Sequence, residues 1–200
     1  MVAAGVIAKK IAASAEISAK LISAGGSDNI EKAVNEAIAI NDTIGGIIEC
    51  RVKNPPLAIG EPFFYSFESA ISHIIFSIPA IKGIEFGCGF AAAAMKGSEH
   101  NDPFINSHGK TATNNAGGIN GGITNGNEIL FRTVVKPTSS TGVEQKTFNF
   151  NEGKMTTLKV KGRHDTCIAL RMPVIVEAAT AIAMADLILI DRSIHGNRKT

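Results

Sequence analysis

The sequence predicts an α+β fold, and three observations carry that expectation. Ile30, Ala33, Val34, Ala37 and Ile38 recur at the spacing of one helix face. Ile48, Cys50 and Val52, and again Ile129, Phe131, Thr133 and Val135, recur at every second position, the spacing of one strand face. Asn151-Glu152-Gly153 separates two further strand-like runs and reads as the turn of a hairpin. Helices and strands mixed in this order bury an antiparallel sheet against helices. A 200-residue chain with 44% apolar residues suits one domain spanning 1–200.

The elements follow in order. Val2 to Ala24, rich in Ala, reads as a first helix stopped by Gly25-Gly26, apolar enough to expect burial on several sides. As a first element it looks cut from something larger. Asp28, with Glu31 three residues later, resembles a capping box opening a second helix that Gly45-Gly46 ends. Ile47 to Lys53 is a strand with Glu49 and Arg51 on its outer side, broken by Asn54-Pro55-Pro56. Ser66 caps a third helix, Phe67 to Ser77, whose buried stripe is Ile71, Ile74, Ile75 and Ile78. Ile81 to Phe86 forms a short strand, with Ala91 to Met95 continuing in the same vein. Gly97 to Lys110 is a polar loop. Glu128 to Val135 is a strand, Thr147 to Phe150 and Met155 to Lys161 a hairpin, and Arg171 to Arg192 an apolar helix entered through Pro173.

Composition narrows the function. The net charge of +2 supplies no field for nucleic acid or an anionic membrane. Val174 to Ile190 is the longest apolar stretch, and Glu177 and Asp186 interrupt it. Three Cys without CxxC spacing fit neither a disulfide framework nor a Cys-rich zinc site, and suit a reducing, cytoplasmic setting. Glu99, His100, Asp102 and His108 are metal-ligand types, but their spacing matches no zinc pattern and no metal site is assigned.

Chemistry gathers in two places. Thr113 to Ser140 holds Gly117-Gly118, Gly121-Gly122 and Gly126, then Lys136, Thr138, Ser139 and Ser140. Glycines permit close backbone approach to a ligand, and one cation with three hydroxyls suits a phosphate or another oxygen-rich anion. The same residues also suit tight surface turns leading into a strand. Gly162-Arg163-His164-Asp165 lies between a strand and a helix. Arg163 could hold an anion and Asp165 could accept a proton; alternatively Asp165 caps the last helix and pairs with Arg163.

TNNAGGINGGITNG followed by KPTSS resembles the chorismate synthase family. VAAGVIAKK at Val2 to Lys10, SIPAIKGIEFG and GSEHNDPF within Ser77 to Phe104, and GRHDTC at Gly162 to Cys167 agree in the same order. The resemblance implies a sandwich of sheets around helices. It implies trans-1,4 elimination of phosphate from 5-enolpyruvylshikimate 3-phosphate, giving chorismate for aromatic amino acid biosynthesis. Reduced FMN is the cofactor it implies, with NADP as an associated nucleotide and a cytoplasmic homotetramer as the assembly. By position, Pro79, Ala80, Gly121, Lys136, Pro137, Thr138, Ser139, Ser140 and Arg163 match flavin contacts, and Asp165 matches the acid that manages the flavin proton. Thr166 stands where the family usually has Pro. The resemblance further implies an N-terminal section, preceding the segment matched by Val2, that carries two catalytic histidines and most substrate arginines. None of the five His here matches those motifs, so the expectation is little or no turnover by this chain alone. A catalytically silent flavin-binding or oligomerisation module is the second reading.

Overall fold

The computed structural model describes residues 1–61, 63–162 and 164–196. In chain order the elements are α1 (Val2–Ile11), β1 (Glu16–Ala24), α2 (Ile30–Ala39), β2 (Gly46–Lys53), α3 (Phe67–Phe76), β3 (Ile81–Phe86), α4 (Gly97–His100), β4 (Ile119–Asn120), β5 (Ile123–Thr124), β6 (Ile129–Val135), β7 (Gln145–Asn149), β8 (Lys154–Leu158) and α5 (Pro173–His195). Four strands form one antiparallel sheet in the order β1-β2-β6-β3. The mixed helix and sheet architecture matches the α+β expectation.

The core lies between this sheet and the helices. Ile48, Cys50 and Val52 of β2 and Ile129, Phe131 and Val135 of β6 point inward. They meet Phe67, Ile71 and Ile75 of α3 and Val176, Ala179, Ala183 and Met184 of α5. Ser66 caps α3, its hydroxyl accepting the Ser69 N–H at 3.1 Å. Helix α5 is long and apolar enough to cross a membrane, yet more than half of its apolar window is buried inside this fold. Glu177, on α5, is not a break in that surface but a tie. Its carboxylate takes Lys9 Nζ of α1 at 2.8 Å and the Ala19 N–H of β1 at 3.0 Å.

Four expectations change. The single helix over Val2 to Ala24 is a helix followed by the edge strand β1. Ala-rich composition hid a period-two pattern in which Ile17, Ala19 and Leu21 pack on the core while Glu16, Ser18 and Lys20 face out. Helix α2 is capped by Asn29, whose side chain accepts the Lys32 N–H at 3.1 Å, rather than by Asp28. It ends at Ala39, before Gly45-Gly46, and Asn41 turns the chain in a left-handed conformation (φ 55°). Gly89–Ala94 is a 3-10 turn, not strand, in keeping with the weak strand preference of Ala.

The α1–α5 contact depends on Gly5. A Cβ there would stand 2.5 Å from the Ala178 Cβ. Gly5→Val is expected to push the helices apart, at a cost of about 1 kcal/mol after its better helix propensity is counted. A denaturant midpoint unchanged from the wild type would refute this close packing.

Candidate functional site

Strand β6 delivers Lys136 to Ser140 at the end of the sheet. The Lys136 N–H donates to the Ala80 carbonyl at 2.9 Å, fixing this segment beside the turn after α3. Ala80 has φ 74°, a left-handed value uncommon for a residue with a Cβ. Such strain persists where surrounding structure enforces it. Pro79 is exposed beside it. Lys136 Nζ donates to Ser139 Oγ at 2.8 Å, so the cation and a hydroxyl already face one another. Pro137 and Ser139 are exposed, and Ser140 is half-buried.

Two other segments lock onto this one. Thr43 donates its hydroxyl to the Thr138 carbonyl at 2.7 Å, and Thr138 donates its own to the Asp165 carbonyl at 2.9 Å. The Ile44 N–H reaches the Thr166 carbonyl at 2.8 Å. Thr141, buried, donates to Asp42 Oδ1 at 2.9 Å. Residues 41–44, 136–142 and 164–166 therefore form one hydrogen-bonded junction. A cavity of about 120 Å³ opens in it, lined by Asn41, Asp42, Thr43, His164 and Thr166. The buried His164 Nε2 has no hydrogen-bond partner among the described residues.

Asp165 does not cap the final helix. The 3-10 turn Ile168–Arg171 intervenes, and the carboxylate takes Arg171 Nη2 at 2.8 Å through Oδ1. Among the described residues Oδ2 accepts nothing. Arg163, the other acid-partner and anion-holding candidate, lies outside the described residues.

Gly121 stands apart from this junction. Gly121 and Gly122 turn β4 into β5 with φ of 59° and 84°, the two positive angles of a type I′ hairpin turn. The Gly122 carbonyl accepts the Phe67 N–H at 2.7 Å, placing the turn at the N-terminus of α3. Ala80 lies beyond the other end of that helix, whose ten residues span about 15 Å. A Cβ on Gly121 would meet nothing within 4 Å, so this glycine faces open space.

The loop between α4 and β4 has an organiser that sequence spacing did not single out. The Asp102 carboxylate accepts the Thr113 hydroxyl at 2.7 Å and the N–H groups of Asn115 and Ala116 at 2.8 and 2.9 Å. Partial burial acts to raise its pKa, but these three donors outweigh it and hold the carboxyl below its ordinary value. A depressed acid stabilises the fold above its unfolded pKa and loses that contribution as pH falls through the folded one. Asp102→Asn is expected to cost about 1 kcal/mol near neutral pH and to flatten the stability loss below about pH 4. Parallel denaturant titrations of both proteins at neutral and acid pH test this; equal acid sensitivity would contradict it. No three of His, Cys, Asp and Glu gather into a metal-binding group among the described residues.

The buried thiols are poor nucleophiles. Burial pushes Cys50 up to about 12, despite its contact with Thr180. Burial likewise raises Cys167.

The sequence model of the family described as chorismate synthase matches residues 1–189. The chain belongs to the chorismate synthase family. The chorismate synthase of Chitinophaga pinensis is 56% identical over 193 residues, covering 96% of this chain and 58% of that protein. The chorismate synthase of Parabacteroides distasonis is 45% identical across 82% of this chain and 46% of its own length. That of Archaeoglobus fulgidus is 44% identical across 74% and 42%. The chain thus spans about half the length of the curated chorismate synthases it matches. A solved structure described as a crystal structure of chorismate synthase superimposes with a TM-score of 0.76, over 98% of this chain and 63% of that one. At 24% identity it bears on the fold, which it shares.

Proposed function

We propose that this chain supplies the flavin-holding part of a chorismate synthase, acting on 5-enolpyruvylshikimate 3-phosphate with reduced FMN in aromatic amino acid biosynthesis. The observation that carries this reading is the junction where Ala80, Lys136 to Ser140 and Asp165 are hydrogen-bonded into one site. The donor set fits such a cofactor. Lys136 with Ser139 and Ser140 offers a cation and hydroxyls to an oxygen-rich group. The orphaned His164 Nε2 and the cavity beside it leave a polar group able to take a further partner. Reduced FMN, when bound, supplies the transient electron that eases cleavage of the C–O bond to phosphate.

The chain's own residues would do four things. Lys136 holds negative charge. Ser139 and Ser140 orient it. Asp165 keeps one carboxylate oxygen for a proton, while Arg171 fixes the other. The Thr43–Thr138–Asp165 hydrogen bonds keep these groups in register. Pro79, Pro137 and Arg163 are assigned to the same contact by position in the family. Gly121 would serve a more distant part of the ligand or of the assembly. A homotetramer in the cytoplasm, with NADP as the associated nucleotide, completes the proposal.

The test is an anaerobic titration of the chain with reduced FMN, with and without 5-enolpyruvylshikimate 3-phosphate. Binding that substrate tightens supports a surviving substrate pocket. Flavin binding indifferent to substrate supports the silent module instead. A folded chain with no affinity for FMN overturns the flavin assignment. Chorismate formation by this chain alone is expected to be negligible, and turnover like that of a full-length enzyme would contradict that expectation.

A further inference from the structure

The Gly-rich loop holds two Asn-Gly steps, Asn120-Gly121 and Asn125-Gly126, that belong neither to the core nor to the junction at Lys136. In such a step the backbone nitrogen of the glycine can approach the preceding side-chain amide with no Cβ in its way. Asn120 ends β4 and is exposed, and Gly121 opens the turn into β5.

The two asparagines touch, and their hydrogen bonds fix which way each amide points. The Asn127 backbone N–H reaches the Asn125 side chain at 2.9 Å. A backbone N–H only donates, so the atom it meets is Asn125 Oδ1. Asn127 Nδ2 donates to the same oxygen at 3.1 Å. Asn125 Nδ2 is then the donor in the 2.6 Å contact with Asn120, and it meets Asn120 Oδ1. Asn125 is thus held through both ends of its amide, whereas Asn120 is held through its oxygen alone. Among the described residues nothing accepts from Asn120 Nδ2, and the Gly121 N–H has no partner.

This asymmetry has a chemical consequence. A donor on the Asn120 carbonyl oxygen makes its carbon more electrophilic and stabilises the negative charge that the oxygen gains when that carbon is attacked. The attacking atom is the Gly121 nitrogen, and removing its proton breaks no hydrogen bond. A Cβ at this glycine would meet nothing within 4 Å, so the turn has room to adjust. Asn125, by contrast, must give up three hydrogen bonds to turn its amide toward Gly126.

We propose that Asn120 is a site of self-modification, deamidating through Gly121 with Asn125 as the activating donor. The Gly121 nitrogen loses its proton to solvent and bonds to Asn120 Cγ. The Cγ–Nδ2 bond breaks, and ammonia leaves with a proton taken from solvent. Water then opens the resulting succinimide at either carbonyl, giving an aspartyl or an isoaspartyl residue at position 120. The sum is one water consumed and one ammonia released, with no oxidation or reduction. The product places a negative charge beside Gly121 and two residues from Gly122, whose carbonyl accepts the Phe67 N–H at 2.7 Å. Conversion needs no flavin, so it stands apart from the reading given under Proposed function.

The experiment incubates the purified 200-residue chain at mildly alkaline pH and follows its tryptic peptide Thr111 to Arg132 by mass spectrometry. That peptide holds five asparagines, at 114, 115, 120, 125 and 127, which serve as internal references. Fragmentation locates the one-dalton gain, and isoaspartate methyltransferase labelling counts the isoaspartyl product. In the folded chain position 120 is expected to convert about tenfold faster than position 125, the rate equivalent of one well-placed hydrogen bond. In urea, where the contact is lost, the two should convert at similar rates. Asn125→Asp keeps an acceptor for the Asn127 N–H and removes the donor toward Asn120. It should slow conversion at 120 several-fold, with the thermal transition retained. Conversion at 120 no faster than at 125 in the folded wild-type chain, or no conversion at all, would overturn the proposal whether or not the variant folds. A folded Asn125→Asp chain that converts at the wild-type rate would remove Asn125 from the chemistry and overturn it as well.

Discussion

Gly87→Val is expected to destabilise the fold by about 3–5 kcal/mol, a large fraction of what a domain has to lose. Gly87 follows β3, where its N–H bonds the Leu130 carbonyl at 2.9 Å. Its φ is 57°, so any L side chain there is strained before packing is considered. A Cβ would overlap the Asn115 carbonyl oxygen and come 2.6 Å from the Gly117 nitrogen. These are backbone atoms of the Gly-rich loop and cannot swing aside as a side chain would. Gly117 answers from the opposite side, where a Cβ would stand 2.5 Å from the Gly87 nitrogen. Two glycines thus allow the loop to press against the sheet end, and Cys88 N–H to Asn115 carbonyl, at 2.9 Å, closes the contact. Gly109→Ala separates the two costs. Gly109 has φ 76° but open space around a Cβ, so it should lose only about 1 kcal/mol. Denaturant midpoints of the two variants decide the matter: equal losses would mean that crowding at Gly87 contributes nothing.

This crossing shows what the sequence made legible and what it did not. The density of glycine in Thr113 to Ser140 pointed to close backbone approach, and approach is what Gly87 and Gly117 make. Their approach is to each other's backbone, because pairs distant in sequence are invisible to spacing. Strands β2 and β6 were readable because Ile48, Cys50 and Val52, and Ile129, Phe131, Thr133 and Val135, keep a buried residue at every second position, whereas β3, with a register shift between Ile81 and Gly83, shows no such alternation. Strand β1 was not readable. Alanine favours a helix over a strand, so the run reads as helix, and pairing with β2 overrides that preference. Glu49 followed the alternation correctly to the outer face, yet the inference from outer face to solvent fails there. Its burial comes from Arg51 and Arg132, and the latter lies on a strand 83 residues later. The Lys136 to Ser140 cluster was legible as chemistry from residue types alone. Thr43 was not, since a lone threonine between a helix and a Gly pair has no pattern to mark it.

Lys136→Ala is expected to weaken binding of reduced FMN by about ten- to a hundredfold, the range of one lost charge-assisted hydrogen bond. The effect should be local. The tie from this residue to Ala80 runs through the backbone N–H, which the substitution keeps. The Thr43 and Thr138 hydrogen bonds do not involve the lysine side chain. What disappears is the cation and its contact with Ser139. Lys136→Arg keeps the charge and should recover most of the affinity, whereas Ser139→Ala removes one hydroxyl and should cost less than the lysine does. This order, arginine near wild type, then Ser139→Ala, then Lys136→Ala, distinguishes a cation that meets the ligand from one that merely positions a loop. In the second case Ser139→Ala, which frees the lysine, would be as damaging as Lys136→Ala. Anaerobic titrations of the four proteins, with thermal transitions confirming that each is folded, provide the comparison. Unchanged affinity in Lys136→Ala would remove the lysine from the flavin site and leave Asp165 and its neighbours without the charge that the proposed function requires.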